Sequence, residues 1–184
     1  MLLLDDNPAP EDIITSQFNE VGVACLGALP EDRVLLSLSV SELAEQLQGE
    51  ILTGADRLQE LVENLMLGVM TVDPGVDYFR RQANKAVVIR GERADMQMAA
   101  LETSVRCLIL SGNTKPIAAV RHRAKDKNVP IIVVKGDTLT TVKAIEDALG
   151  RSRLSQVKKL PRLMEVMGKH FSFPNVYQGL GLAS

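Results

Sequence analysis

Short apolar runs alternate with longer helical stretches in the second half of the chain, and this alternation restricts the fold more than any other feature. The runs at 86–89, 107–110 and 131–134 are each four residues long, and the first and third consist mainly of β-branched residues. After each run, apolar residues recur at helical spacing. Strands that alternate with helices are typical of a parallel sheet. We therefore predict an α/β fold with a largely parallel sheet flanked by helices in three layers.

Helical periodicity and residues typical of helix starts predict where the connecting helices lie. A first helix is predicted over 95–103, where apolar residues share one face. Pro116 is suited to the first turn of a second helix that ends near residue 127. Thr138 is the predicted N-cap of a third helix over 138–149.

The first half of the chain carries weaker signals. Ser39 followed by Glu42 forms a capping box for a helix over 40–48. Asp-Pro at 73–74 opens another helix. Segment 56–64 fits either a short helix or an irregular connection. Further strands are predicted at 21–29, 51–52 and 65–70.

The C-terminal part is basic and amphipathic. Residues 151–169 hold six Lys or Arg against one acid, with apolar residues at spacings of three. This pattern predicts a C-terminal amphipathic helix, and a break at Pro161 stays open. Its basic side is expected to be a solvated face, with an acidic docking partner as the alternative. Residues 171–184 are expected to be irregular because they contain two glycines and Pro174.

Charge and composition exclude several classes of function. The formal net charge is −2 and aromatic residues make up 3% of the chain, without Trp. We therefore expect no nucleic-acid partner, since neither a basic field nor stacking platforms are available. No apolar run approaches the roughly 20 residues of a membrane span, so no membrane partner is expected. Cys25 and Cys107 lack metal-ligand spacing and are predicted to be free core thiols in a reducing compartment, which indicates a cytoplasmic protein without a metal site.

Three glycine-containing loops follow predicted strands, at 90–93, 111–115 and 135–138. The carboxyl ends of parallel strands meet at one edge, where α/β proteins bind ligands, so we expect these loops to form one rim. Glycine lets backbone amides approach a ligand, and a helix N-terminus favours an anion. The rim therefore predicts a site for a small phosphate, carboxylate or nucleotide; ordinary turns and helix caps are the alternative. The candidate ligand-binding residues are Gly91, Arg93, Asp95, Ser111, Gly112, Asn113, Gly136, Asp137 and Thr138.

Catalytic signals are poor. Neither a dinucleotide fingerprint nor a P-loop consensus occurs in the sequence. His122 lies among basic residues and His170 lies in the tail, so neither offers a base oriented by an acid beside a nucleophile. Standalone catalysis is therefore not expected, although an acyl or phosphoryl transferase stays open as an alternative. The groups that such an enzyme would use are Arg93, Asp95, Asn113 and Asp137.

The run at 84–103, NKAVVIRGERADMQMAALET, closely resembles the DRTGG domain. That domain occurs in bacterial phosphotransacetylases and in phosphotransacetylase-like proteins with a dethiobiotin-synthetase-like front half. Segments 107–112 and 129–141 continue the resemblance, which covers about 50–149. The literal name motif is absent, because Glu-Arg-Ala-Asp at 92–95 stands where Asp-Arg-Thr or Asp-Arg-Ala is expected.

A second resemblance lies upstream. Segments 27–33 and 40–44 are similar to the end of a dethiobiotin-synthetase-like P-loop domain and its join to the DRTGG part. The resemblance implies that the chain is a C-terminal piece, with the missing P-loop domain or a separate protein as a possible partner. The implied domains are a P-loop remnant over 1–49, a DRTGG-like domain over 50–150, and a C-terminal helix with an irregular tail over 151–184.

The DRTGG resemblance implies a regulatory role. DRTGG units accompany adenylate-binding CBS pairs and resemble the front domain of HPr kinase/phosphorylase. The implied function is a non-catalytic, ligand-sensing and dimerising module, a cytoplasmic homodimer without a resident cofactor, for which a nucleotide or phosphate-bearing molecule is a possible ligand. Acetyl transfer is not implied, because the acyltransferase domain has no counterpart here. The alternative is an assembly module that uses its basic helices at 121–127 and 151–169.

Overall fold

The computed structural model describes residues 18, 20–23, 26–69, 75–151 and 156–182. The chain divides into two compact units. We call Leu36–Arg153 the sheet unit and the combination of Met1–Leu35 with Leu154–Ser184 the helical unit. The described strands are β1 (Leu38–Ser39), β2 (Glu50–Thr53), β3 (Leu61–Val62), β4 (Asn64–Leu67), β5 (Lys85–Arg90), β6 (Val105–Ser111) and β7 (Ile131–Val133). The described helices are α1 (Arg33–Leu36), α2 (Val40–Gln46), α3 (Gly75–Arg80), α4 (Ala94–Leu101), α5 (Ala118–Asp126), α6 (Thr138–Leu149), α7 (Leu160–His170) and α8 (Phe173–Gly179).

A five-stranded sheet forms the centre of the sheet unit. Its order is β2-β7-β6-β5-β4, in which β4 to β7 are parallel and β2 is antiparallel to β7. Strands β1 and β3 form a separate antiparallel pair. The three parallel pairings in the centre follow chain order, and helices lie between the paired strands along the chain. The prediction of an α/β fold with a largely parallel sheet is confirmed.

Both faces of the sheet are covered. Along β5, Val87 and Ile89 belong to one apolar cluster, whereas Ala86 and Val88 belong to the other. Helices α3, α4 and α5 contribute to the first cluster, and α2 and α6 contribute to the second. A strand that is covered on both faces has a continuous apolar run in its sequence. The positions of these strands can therefore be predicted from the sequence.

Several local predictions in the sheet unit are confirmed or corrected. The capping box of Ser39 and Glu42 is present at the start of α2. Thr138 is not the N-cap of α6; Asp137 is, and its carboxylate accepts a hydrogen bond from the Thr140 amide at 2.7 Å. Segment 56–64 contains the end of a 3₁₀ turn, the strand β3 and the first residue of β4.

The helical unit departs more from expectation. The predicted strand at 21–29 is wrong for its described residues, of which Gly27 forms only an isolated bridge to Phe171. Cys25 lies outside the described residues. The C-terminal helix predicted from residue 151 begins only at Leu160, after a 3₁₀ turn at Val157–Lys159. Pro161 occupies the first turn of α7, where its missing N–H costs no hydrogen bond. The expected irregular tail contains the helix α8, with Pro174 in its first turn.

Membrane insertion through a helix finds no support in the described part of the chain. None of the helices there combines the length and apolar character that crossing a bilayer requires.

Candidate functional site

The three glycine-containing loops lie together at the carboxyl edge of the parallel strands. The Gly91 amide donates a hydrogen bond to the Ser111 carbonyl at 3.0 Å, and the Gly112 amide donates to the Gly136 carbonyl at 2.8 Å. We call residues 90–95, 111–115 and 135–138 the rim. The topology therefore brings together the loops that carry all nine predicted site residues.

Gly91 allows two of these loops to touch. A Cβ atom at this position would lie 2.4 Å from the Thr114 carbonyl oxygen, which is backbone and cannot rotate away. Gly91 is itself buried. Its role in the structure is close packing between the loops that follow β5 and β6.

The chain reverses direction after β6 through two residues with left-handed backbone angles. Gly112 has φ +85° and Asn113 has φ +55°. Glycine and asparagine are the residue types that adopt this region most readily. Both residues are exposed, so the Asn113 amide side chain is accessible at the rim.

Three backbone amides of the rim form hydrogen bonds within the fold. The amides of Gly91, Gly112 and Asn113 each donate to a carbonyl of a neighbouring loop instead of pointing to an open site. The Asn113 amide, for example, donates to the Val134 carbonyl at 2.8 Å. These bonds extend the sheet ladder into the loops and occupy these three amides.

Arg93 and Asp95 form a side-chain pair at the start of α4. The Arg93 guanidinium donates to the Asp95 carboxylate through Nε at 2.9 Å and through Nη2 at 2.8 Å. The hydrogen bond from Arg93 lowers the pKa of Asp95. Arg93 is partly exposed, and its guanidinium is already bonded to one carboxylate. An anionic ligand would compete with Asp95 for this guanidinium.

A hydroxyl pair joins the loops that follow β6 and β7. Ser111 Oγ and Thr138 Oγ1 lie 2.9 Å apart, and Ser111 is buried. Beside them, hydrogen bonding by the Thr140 amide lowers the pKa of Asp137, which keeps this exposed carboxylate charged. Ser111 thus links two loops of the rim, and Asp137 caps the helix α6.

Most rim cations are paired with acids. Lys115 donates to Glu50 at 2.8 Å, and Arg90 pairs with Glu92. Among the described residues of the rim, Lys135 is the cation for which no ion pair is found, and it is exposed. The one uncompensated positive charge of the rim thus lies on the loop that leads into α6.

Gln97 is a residue of this region that the sequence analysis missed. Its side chain is fully buried, and its Nε2 donates to the carbonyls of Arg90 and Gly91 at 3.0 and 2.9 Å. The Oε1 atom has no hydrogen-bond partner among the residues that the structure describes. A glutamine on the apolar side of α4 was the available signal, and its role is to hold the first rim loop.

The remaining candidate chemistry is limited. Cys107 is fully buried, and burial raises its pKa to about 12, so its thiol is not a nucleophile at neutral pH. Within the described ranges, no cluster of three or more His, Cys, Asp or Glu side chains could hold a metal ion.

Comparison with known proteins places this geometry in a family. The DRTGG domain model matches residues 42–148, which confirms the resemblance found in the sequence. A phosphate acetyltransferase of Nitratidesulfovibrio vulgaris is 22% identical over 152 residues, covering 77% of this chain and 21% of the relative. The chain thus spans about a fifth of that curated relative.

A solved structure has a similar fold. It contains the CBS and DRTGG domains of the regulatory region of Clostridium perfringens pyrophosphatase, complexed with the activator diadenosine tetraphosphate. The TM-score is 0.55 at 15% identity, with 84% of this chain and 81% of the other chain covered.

Proposed function

Since this chain belongs to the DRTGG domain family, we propose that it is a non-catalytic regulatory module that senses a small anionic or nucleotide ligand at the rim. A regulatory region of similar fold has been crystallised with a dinucleotide activator, which supports a ligand of this class. Residues 50–150 would form the DRTGG-like domain. Residues 1–49 would be the P-loop remnant, and residues 151–184 the C-terminal helix and tail.

The observation that carries the proposal is the convergence of three loops at one strand edge, with accessible polar side chains on each. Arg93 follows β5, Asn113 follows β6 and Lys135 follows β7. Guanidinium, carboxamide and ammonium groups are all donors suited to phosphate oxygens. A single phosphate-bearing molecule that contacts all three would link three neighbouring strands of the core.

Such a link is a physical basis for sensing. The rim loops are held to each other by hydrogen bonds between Gly91 and Ser111 and between Gly112 and Gly136. A ligand that contacts side chains on the same loops adds to this network and favours the arrangement that binds it. The response is therefore expected as stabilisation of the sheet unit, which grows with the logarithm of one plus the ratio of ligand concentration to its dissociation constant.

A catalytic role is not proposed. The related phosphate acetyltransferase is nearly five times the aligned length, so its acetyl-transfer activity is not carried over to this chain. The described rim combines charged and amide groups without a nucleophile activated by a base. We propose no resident cofactor, and we propose a cytoplasmic homodimer as the working form of the module.

Isothermal titration calorimetry tests this function directly. The full chain is titrated separately with ATP, diadenosine tetraphosphate, acetyl phosphate and coenzyme A. We expect saturable heat with at least one of them, and at least a tenfold weaker affinity for Lys135→Ala. Asn113→Asp is expected to weaken binding also, because it tolerates the left-handed backbone but repels an anion.

A matched control is available on the opposite edge of the sheet. Lys125 is exposed near the end of α5, remote from the rim, so Lys125→Ala removes the same charge without touching the site. Its affinity should equal that of the wild type. Absence of heat with all four probes, or equal losses for Lys125→Ala and Lys135→Ala, would contradict the proposed site.

A further inference from the structure

The loops that follow β6 and β7 lead to opposite faces of the sheet. Helix α5, which follows β6, contributes Val120 and Ala124 to the first apolar cluster. Helix α6, which follows β7, contributes Ile145 and Ala148 to the second cluster. Strands β6 and β7 are neighbours in the sheet. The chain therefore diverges between the carboxyl ends of these two strands, and in open α/β sheets a ligand binds in the crevice at such a point.

Polar contacts join the two loops at the base of this divergence. Ser111 Oγ and Thr138 Oγ1 lie 2.9 Å apart, and Ser111 is buried. The Gly112 amide donates to the Gly136 carbonyl at 2.8 Å. We call residues 111–113 and 135–138 the switch point. The loops thus meet directly above the strands and separate only as they lead into α5 and α6.

The accessible phosphate-binding groups of the rim concentrate at the switch point. Lys135 is exposed, and no ion pair is found for it among the described rim residues. Asn113 is exposed on the facing loop. Arg93, which follows β5 one strand away, is already bonded to Asp95. An anion therefore meets least competition from acidic side chains between β6 and β7.

Exposed apolar residues flank the switch point on both faces of the sheet. Ile117 is the N-cap of α5 and is 57% exposed. Leu139 is the second residue of α6 and is 79% exposed. Single exposed apolar residues are common on protein surfaces, so exposure alone carries no argument. The position of these two does, because each begins a helix that leads away from the polar base of the same crevice.

This combination fits a ligand that has both an anionic and an apolar part. Small-molecule sites pair an apolar lining with a few polar groups that fix the orientation of the ligand. Inorganic phosphate or acetyl phosphate would use the polar groups alone and leave Ile117 and Leu139 in water. A nucleotide uses both, because its phosphates carry the charge and its base offers a flat, largely apolar ring.

We propose that the switch point binds a nucleotide, with its phosphates at Asn113 and Lys135 and its nucleoside against the apolar residues Ile117 and Leu139. This inference rests on the proposed function. It deepens that function by naming the part of the rim that binds and by selecting nucleotides over simple phosphates.

Calorimetric titration of the full chain with ATP and with tripolyphosphate tests the proposal. Tripolyphosphate has the same chain of three phosphates without the nucleoside, and it carries at least as much negative charge. We expect ATP to bind the wild type at least tenfold more tightly. In the double variant Ile117→Ser with Leu139→Ser, the affinity for ATP should fall at least tenfold, whereas that for tripolyphosphate should not change. Both sites are exposed, and circular dichroism verifies that the variant folds.

A matched control lies at the same edge of the sheet. Val69 follows β4 and is 63% exposed. Strand β4 is two strands away from β6, which is about 10 Å. Val69→Ser therefore removes an exposed apolar side chain from the carboxyl edge without changing the switch point, and its affinity for ATP should equal that of the wild type.

The outcomes separate this inference from the proposed function. Equal affinities of the wild type for ATP and tripolyphosphate, both lost in Lys135→Ala, overturn the nucleotide and leave the anion site at the rim intact. A folded double variant that binds ATP no more weakly than Val69→Ser also overturns the inference. Absence of heat with both probes overturns it as well, and the titrations with acetyl phosphate and coenzyme A then decide the proposed function separately.

Discussion

The sheet unit and the helical unit use apolar residues in opposite ways. In the sheet unit, Ala86 to Ile89 are completely buried because helices cover both faces of the sheet. In the helical unit, Leu160 and Met164 stay exposed because the chain covers only part of the apolar arc of α7. The difference indicates that the first unit folds around its own core, whereas the described residues of the second leave much of their apolar surface exposed.

The largest expected effect is a difference in stability between two truncations. One removes a core side chain of the sheet unit, and the other removes an exposed side chain of the helical unit. Ile109 is fully buried, so Ile109→Ala should lower the free energy of unfolding by about 2–5 kcal/mol. Met164→Ala should change it by less than about 0.5 kcal/mol in dilute monomer, because no cavity forms at an exposed site. Urea denaturation measures both; equal losses would remove the distinction between the units.

An intermediate effect is expected at the rim. Gly91→Ala places a methyl group against the Thr114 backbone and should cost about 1–3 kcal/mol of unfolding free energy. Gly136→Ala is the matched control, since its Cβ would meet side-chain atoms at ordinary distances of 3.5 Å and more. Thermal and urea denaturation should show that Gly91→Ala is clearly less stable than Gly136→Ala. Similar stabilities would show that the first two rim loops are not tightly packed.

The smallest expected effect is pH dependence at the cap of α6. The hydrogen bond from the Thr140 amide lowers the folded-state pKa of Asp137, so its contribution is present above the unfolded value of about 3.9. This stability is lost as the pH falls through the lower folded pKa. Asp137→Asn keeps a capping side chain but removes the titration, so its melting temperature should decline less below pH 4. An identical pH profile for both proteins would contradict the cap.

Local signals predicted the sheet unit well. The strands β5, β6 and β7 and the capping box at Ser39 depend on composition and spacing within a few residues. The N-cap of α6 was misplaced by one residue because Asp137 and Thr138 are both good capping residues, and periodicity does not choose between neighbours.

Predictions that depended on distant partners failed. The strand expected at 21–29 has the composition of a strand, but strand formation needs a neighbour. Among its described residues, Gly27 alone forms a bridge, to Phe171. The rim shows the same limit. Parallel topology predicted the meeting of the loops, whereas the use of the Gly91 and Gly112 amides and the role of Gln97 depend on contacts that only the folded chain defines.

Amide chemical shifts during ligand titration test the central claim most directly. The NMR signals of Gly91, Gly112 and Gly136 report on the rim, and Gly54, which contacts Pro130 at the other end of β7, is an internal reference. With ATP or diadenosine tetraphosphate, we expect saturable shifts for the three rim glycines and none for Gly54. Unchanged rim signals, or shifts of equal size at Gly54, would contradict a ligand site at this edge of the sheet.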